Sequence, residues 1–387
     1  MRRAALAAAL AVAAAGCGGG DSPPDGTPAQ GTKPPPSDAD RIRVLLDDRA
    51  AALEDGDAAA YAAAATGRQR DRDRRAARNA RGLPLRDVAF DAGEVEVDGR
   101  RARLKVAAAY GVRGVGGEFR SPRRMTARKT QRGWRIAKVS GGRGRPPWEV
   151  ARFRAERTPH FMVLAPADLE AAGLTDALEE GYSRIRRVLT RGRLKRRYLA
   201  VVAGDPSQAI ALTRDIAGVG DLAAISDSAV RETGPARRVA RVLSQRLLVV
   251  WPPFSSLDPD SRARVVTHEL THAVLAASTS GRTPGWLVEG IALYVSGDRR
   301  PAPGAPLRLL SEPTSIAQRS GEAQGTAYAL ASAASFAIAD RYGPDGLLDL
   351  YDAFNDEDLR GNPGPKLVDK ALRRTLHVSL SELEASL

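Results

Sequence analysis

His268-Glu269-Leu270-Thr271-His272 is an HExxH pentapeptide in a chain of 387 residues that holds only four histidines. On an α-helix, imidazoles at i and i+4 lie one above the other on the same face. That spacing lets both rings reach one tetrahedral Zn²⁺, with Glu269 facing the water that such an ion would acidify. A further carboxylate, Glu289, follows in the apolar stretch Trp286-Leu287-Val288-Glu289-Gly290-Ile291 and is suited to be a third ligand. Two imidazoles and one carboxylate leave a fourth position open, which separates a catalytic site from a closed structural one. His-Glu pairs also arise on surface helices as ion-pairing partners. Here the flanks Val265-Val266 and Ala273-Val274-Leu275 are apolar, so burying this face without a ligand would be costly.

The elements that must hold these groups are legible around them. Asp258-Pro259 supplies an N-cap and a proline for the first turn of the HExxH helix, and Thr283-Pro284 repeats the device before the helix bearing Glu289. Arg246-Leu247-Leu248-Val249-Val250-Trp251 reads as a strand just ahead of the motif helix, placed to bind an extended substrate by edge pairing. Phe161–Leu164 and Tyr198–Val202 read as further strands, and 168–189 as a helix between them. Helical segments over 326–342 and 346–354 and a short terminal one complete the region, with Tyr342-Gly343-Pro344 ending a helix. A small sheet followed by helices, spanning 150–387, is an α+β plan.

Thr267-His268-Glu269-Leu270-Thr271-His272 with Pro284-Gly285-Trp286-Leu287-Val288-Glu289-Gly290 resembles the gluzincin zinc metallopeptidases of the thermolysin and aminopeptidase-N superfamily. The resemblance covers about Phe161 to Leu387. It implies His268, His272 and Glu289 as zinc ligands, Glu269 as general base, and a protein or peptide as substrate. It also implies an oxyanion-donating tyrosine beyond the third ligand, for which Tyr328 is best placed; a core tyrosine packing with Phe336 is the alternative. Two departures matter. The Gly-x-Met-Glu-Asn strand of the aminopeptidases is absent upstream of His268, which favours endopeptidase action. Leu293 stands where thermolysin-like members place a supporting aspartate. His160 and His377 lie outside the motif and read as ordinary surface or core residues.

Residues 40–145 form a different pattern. Helical stretches over 41–53 and beyond Gly56-Asp57 precede strand runs at 87–97, 101–112, 123–130 and 134–139, with Asp98-Gly99 as a hairpin turn. Helices followed by a meander ending in Gly133-Trp134-Arg135-Ile136-Ala137 resemble the nuclear transport factor 2-like (SnoaL-like) α+β cone. In that family the pocket of the cone binds a ligand, catalyses, or is only a spacer. No catalytic His/Asp pair is visible, so an interaction module is expected. Between Arg68 and Arg81 seven arginines face two aspartates, either a solvated helix face or a contact for an anionic surface.

The chain carries 59 Lys and Arg against 46 Asp and Glu, a formal charge of +13, which favours anionic wall polymer or lipid as a surface partner. No aromatic-studded basic repeat, zinc knuckle or helix-turn-helix signal is present, so nucleic acid is not expected as a partner. The single cysteine, Cys17, excludes an intrachain disulfide. Arg2-Arg3, the apolar run Ala4–Ala15 and the small residues before Cys17 have the anatomy of an export signal. Ala14-Ala15-Gly16-Cys17 resembles a bacterial lipobox, with Ala14 where leucine is commonest. The resemblance implies a signal peptide over 1–16, a diacylglycerol-bearing Cys17, and an extracytoplasmic protein lipid-anchored to the bacterial membrane. The stretch 17–39, rich in Gly and Pro, reads as a tether. Two other readings stay open: a binding lipoprotein that keeps zinc without turnover, and a wall- or lipid-binding protein acting through its basic first domain.

Overall fold

The strands at 161–166, 198–203 and 247–250 read as unbroken apolar runs because their sheet is covered on both faces, where alternation would have left one face to water. The computed structural model describes residues 35–386 except 142, 190–193, 214–218, 303–315, 317, 318 and 320. Cys17 and residues 1–34 lie outside the described residues, so the expectations of a signal peptide and a lipidated cysteine rest on sequence alone. Described residues contain no helix long and apolar enough to cross a membrane.

The first half comprises α1 (Asp38–Glu54), α2 (Ala58–Ala63), α3 (Arg68–Ala80), β1 (Leu85–Asp98), β2 (Arg101–Val112), β3 (Phe119–Thr130) and β4 (Gly133–Ser140). The four strands are an antiparallel meander in chain order. Gly99 and Arg100 close the first hairpin between paired Asp98 and Arg101, and Gly99 takes the positive φ that such a two-residue turn requires. β3 alternates buried and exposed residues, placing Phe119, Ser121, Arg123 and Met125 on the covered face. Ile42 and Leu46 of α1 and Ala77 of α3 share a core with Phe90, Leu104, Met125 and Ile136 of the sheet.

A short helix, α4 (Pro147–Val150), leads to β5 (Phe153–Arg157), β6 (Phe161–Pro166), α5 (Leu174–Val188), β7 (Tyr198–Ala203), α6 (Pro206–Leu212), β8 (Ala224–Thr233) and β9 (Arg238–Val250). Their sheet runs β5-β6-β7-β9-β8, with β6, β7 and β9 parallel and the two outer strands antiparallel. One face, carrying Phe161, Val163, Tyr198, Ala200, Val202, Leu247 and Val249, packs on the helices that follow. The other face, carrying Leu164, Leu199, Val201, Leu248 and Val250, belongs to the same core as α1 and the meander. The stretch 40–145 and the stretch from 150 onward therefore meet in one apolar core. The helix expected from Asp168 begins at Leu174.

The remainder is helical: α7 (Trp251–Ser255), α8 (Pro259–Leu275), α9 (Gly285–Ser296), α10 (Gly321–Ala353), α11 (Pro365–Leu376) and α12 (Leu380–Ala385). The expected break at Tyr342-Gly343-Pro344 is a kink inside α10, where Gly343 has φ 75°. With two sheets and a helical second half, the chain is of the α+β class, as its sequence pattern implied.

Candidate metal centre

α8 carries the HExxH motif and starts where its capping residues require. The Asp258 side chain accepts from the amides of Asp260 and Ser261, each at 3.0 Å, and Pro259 takes the first turn. Val266, Leu270, Ala273 and Val274 turn into the core, leaving His268, Glu269 and His272 half-buried on the other side. The buried hydroxyls of Thr267 and Thr271 are satisfied by carbonyls one turn back, at 2.7 and 2.8 Å. α5 lies hard against α8 because Gly181 lacks a side chain: a Cβ there would stand 2.5 Å from Val266 Cγ1. Arg184 of α5 ties the two helices by donating to Asp260 at 2.7 Å.

α9 presents Glu289. Pro284 does not repeat the device of Asp258-Pro259; it occupies the N-cap position itself and no side chain caps the helix. The Thr283 hydroxyl is instead turned back to accept from the Ser280 amide at 3.0 Å. α9 crosses α10 closely at Gly290, where a Cβ would collide with Ser335 Oγ and lie 2.5 Å from the Ala331 carbonyl oxygen. This close crossing seats the neighbouring Glu289, 8% exposed, beneath the two histidines.

His268 Nε2, His272 Nε2 and Glu289 Oε2 form a nearly equilateral triangle: 3.2 Å between the nitrogens, and 3.3 and 3.6 Å from each nitrogen to the oxygen. Ligands at about 2.0–2.1 Å from a tetrahedral zinc stand about 3.3 Å apart. The three residues expected as ligands thus come together with zinc's donor set and spacing, as a cluster that could hold a metal ion. Their charges interlock. Burial opposes an imidazolium at His272, but the Glu289 carboxylate overrides it and lifts the group to about 9. Burial likewise disfavours the Glu289 anion, yet the two imidazoles hold it far below the usual carboxylate range.

Glu269 sits beside this triangle. Burial pushes its carboxyl up, against the pull of His268 and His272, and the Ser226 amide donates to Oε2 at 2.8 Å. Ser226 belongs to β8, and that corrects an expectation. β9, the strand that precedes the motif helix, is interior to the sheet, so it has no free edge for a substrate. β8, whose polar Ser226-Asp227-Ser228 run hid it from the sequence reading, forms the edge and borders the site.

A cleft of about 440 Å³ opens over His268 and Glu269, walled by Val265, Arg264, Arg300 and Tyr328. Tyr328 therefore reaches the site. Phe336, its alternative partner, stacks edge-on with Tyr294 at 5.1 Å. Burial raises the pKa of the Tyr328 hydroxyl, and the Glu289 and Glu269 carboxylates raise it further. The Arg300 guanidinium lies 5.0 Å from the centre of its ring and pairs with Asp298 at 2.9 Å. Ser226, Arg264 and Arg300 escaped the sequence reading, since nothing in their local spacing sets them apart. His160 is accounted for structurally: Nδ1 lies 2.6 Å from Glu179 and its ring stacks on Tyr182.

No protein-family model matches the chain, and no curated protein matches it. Among solved structures, a variant of Rv3472, a function-unknown protein from Mycobacterium tuberculosis, is similar at 20% identity over 27% of this chain and 70% of that one, with a TM-score of 0.22. A likeness that slight says nothing of the site.

Proposed function

We propose that the protein is a zinc metallopeptidase of gluzincin type that cleaves peptide bonds outside the cytoplasm, anchored to the membrane through Cys17. The observation that carries the catalytic reading is the triangle of His268, His272 and Glu289 at tetrahedral spacing with Glu269 adjacent to it. A zinc ion held by those three residues would supply Lewis acidity, polarising a scissile carbonyl and acidifying water. Glu269, its carboxyl raised by burial, accepts the proton of the attacking water and returns it to the leaving amine. The Ser226 amide fixes which way that carboxylate points. Tyr328, kept protonated by its surroundings, is placed to donate to the developing oxyanion. Endopeptidase action is the expected form, because the aminopeptidase strand motif is missing. The lipobox-like run ending at Cys17 and the tether behind it support the location.

The decisive experiment pairs the full chain with its Glu269→Gln variant, measuring bound zinc and the new peptide termini each releases from a denatured-protein mixture. One zinc in both, with cleavage by wild type alone, is the expected result. Zinc in both without cleavage would favour a binding lipoprotein, and no zinc in either would remove the site. Mass spectrometry of the mature N-terminus tests the anchor, since a start other than a diacylated Cys17 contradicts it.

A further inference from the structure

A second cavity, of about 800 Å³, lies in the first half of the chain between α1, α3, the covered face of the meander and α4. Its size is that of a small-molecule site. Tyr61, Phe90, Met125 and Trp148 supply buried apolar walls. The same lining carries six basic side chains against two carboxylates, Asp73 and Glu149.

Neither carboxylate neutralises that excess. Asp73 is taken up by a buried ion pair with Arg49 and by the Gln69 amide at 2.7 Å. Glu149 is shared between Arg123 at 3.3 Å and Arg145 at 3.6 Å, one anion for two cations. Arg123 is 3% exposed; its Nη1 donates to the Pro122 carbonyl at 2.9 Å, its Nη2 is the atom ion-paired with Glu149, and its Nε makes no hydrogen bond. Arg49 Nε and Trp148 Nε1, on the same lining, also make none. Every buried side-chain atom of this lining that lacks a hydrogen bond is therefore a donor. Buried polar groups in native proteins are almost always satisfied, and exceptions call for a partner. Donors alone, among them the Nε atoms of two guanidinium groups, call for an acceptor with negative charge. Arg72 and Arg75, on the outer turns of α3, are exposed at the mouth, where they would draw an anion in.

We propose that this cavity binds a small soluble organic anion, a carboxylate, phosphate or sulfonate group on an apolar body, with Arg123 meeting the charge and the aromatic walls holding the body. This site is separate from the HExxH cleft and does not depend on the chain being a peptidase.

The test is calorimetric titration of the full chain with naphthalenesulfonate and with its neutral isostere, naphthalenesulfonamide. One sulfonate site per chain is expected, with the sulfonamide weaker by roughly tenfold or more, the worth of a charge-assisted hydrogen bond. Arg123→Gln should lower sulfonate affinity by a similar factor and leave the sulfonamide unchanged. The exposed double change Arg72→Gln with Arg75→Gln spares the core; it should weaken sulfonate binding several-fold and flatten its dependence on salt. It decides the matter if the Arg123 variant does not fold. Equal affinity for both naphthalenes, no saturable sulfonate binding, or sulfonate binding indifferent to the mouth arginines would overturn the proposal.

Discussion

The backbone amide of Ser226 and the carboxylate of Glu269 meet across 2.8 Å, tying the edge strand β8 to the centre of the HExxH helix. β8 pairs with β9 on one side only, and in an antiparallel ladder alternate residues turn their N–H groups away from the partner strand. Ser226 is one of these, and its outward amide goes to the residue that would move the proton. A proline at this position removes that donor while costing the sheet no ladder bond. Ser226→Pro should therefore leave zinc content at wild-type level and lower kcat by about ten- to a hundredfold, the worth of one hydrogen bond to a charged group. Steady-state kinetics beside metal analysis checks this; an unchanged kcat would show that the amide does not orient Glu269.

The crossing of α9 and α10 at Gly290 makes an unusual demand of a helix. Alanine is ordinarily worth about 1 kcal/mol more than glycine inside one. Here its methyl would meet Ser335 Oγ and the Ala331 carbonyl, so the helices must part, at about 1–3 kcal/mol. Glu289 is the preceding residue and moves with them. Gly290→Ala should lower the melting temperature and weaken zinc affinity together. Destabilisation with zinc affinity intact would mean that the crossing supports the fold and not the ligand.

The contrast between Glu289 and Ser226 shows what the sequence could carry. That His268 and His272 come together beside Glu269 was legible because spacing along a helix is something a one-dimensional pattern records. The α+β class was legible too, since the apolar runs at Phe161, Tyr198 and Arg246 and the N-cap Asp258 are local signals. The edge position of β8 was not. A short polar run such as Ser226-Asp227-Ser228 becomes an edge strand through pairing with β9, a long-range contact that leaves no period behind. Pro284 misled for a related reason: Thr-Pro before a helix fits two capping geometries, and only the turn set by Ser280 and Thr283 selects between them. The shared core was equally hidden, because Leu199 and Val201 read as buried without saying by what.

Tyr328 and Arg300 share the cleft, the guanidinium over the ring. If the hydroxyl donates to a developing oxyanion, Tyr328→Phe should reduce kcat about a hundredfold or more with KM and bound zinc little changed. A packing role would move the melting temperature and leave kcat near wild type, so measuring both separates the two.

His160 and Glu179 govern a different property, the resistance of the fold to acid. Burial disfavours the Glu179 anion, but the Thr158 hydroxyl at 2.5 Å and the His160 amide and ring at 3.0 and 2.6 Å outweigh it. The carboxyl therefore sits below its ordinary value. A carboxyl with a lower pKa folded than unfolded stabilises the fold above the unfolded value, about 4.3, and that contribution disappears as pH falls through the folded value. These bonds join the start of β6 to α5, the helix packed on the HExxH helix through Gly181. Glu179→Gln should lower the melting temperature at pH 7, and the gap from wild type should close as the pH is taken below about 4. Thermal melts across that range check the sign; a gap that held constant into acid would place the stabilisation in packing and not in the charge.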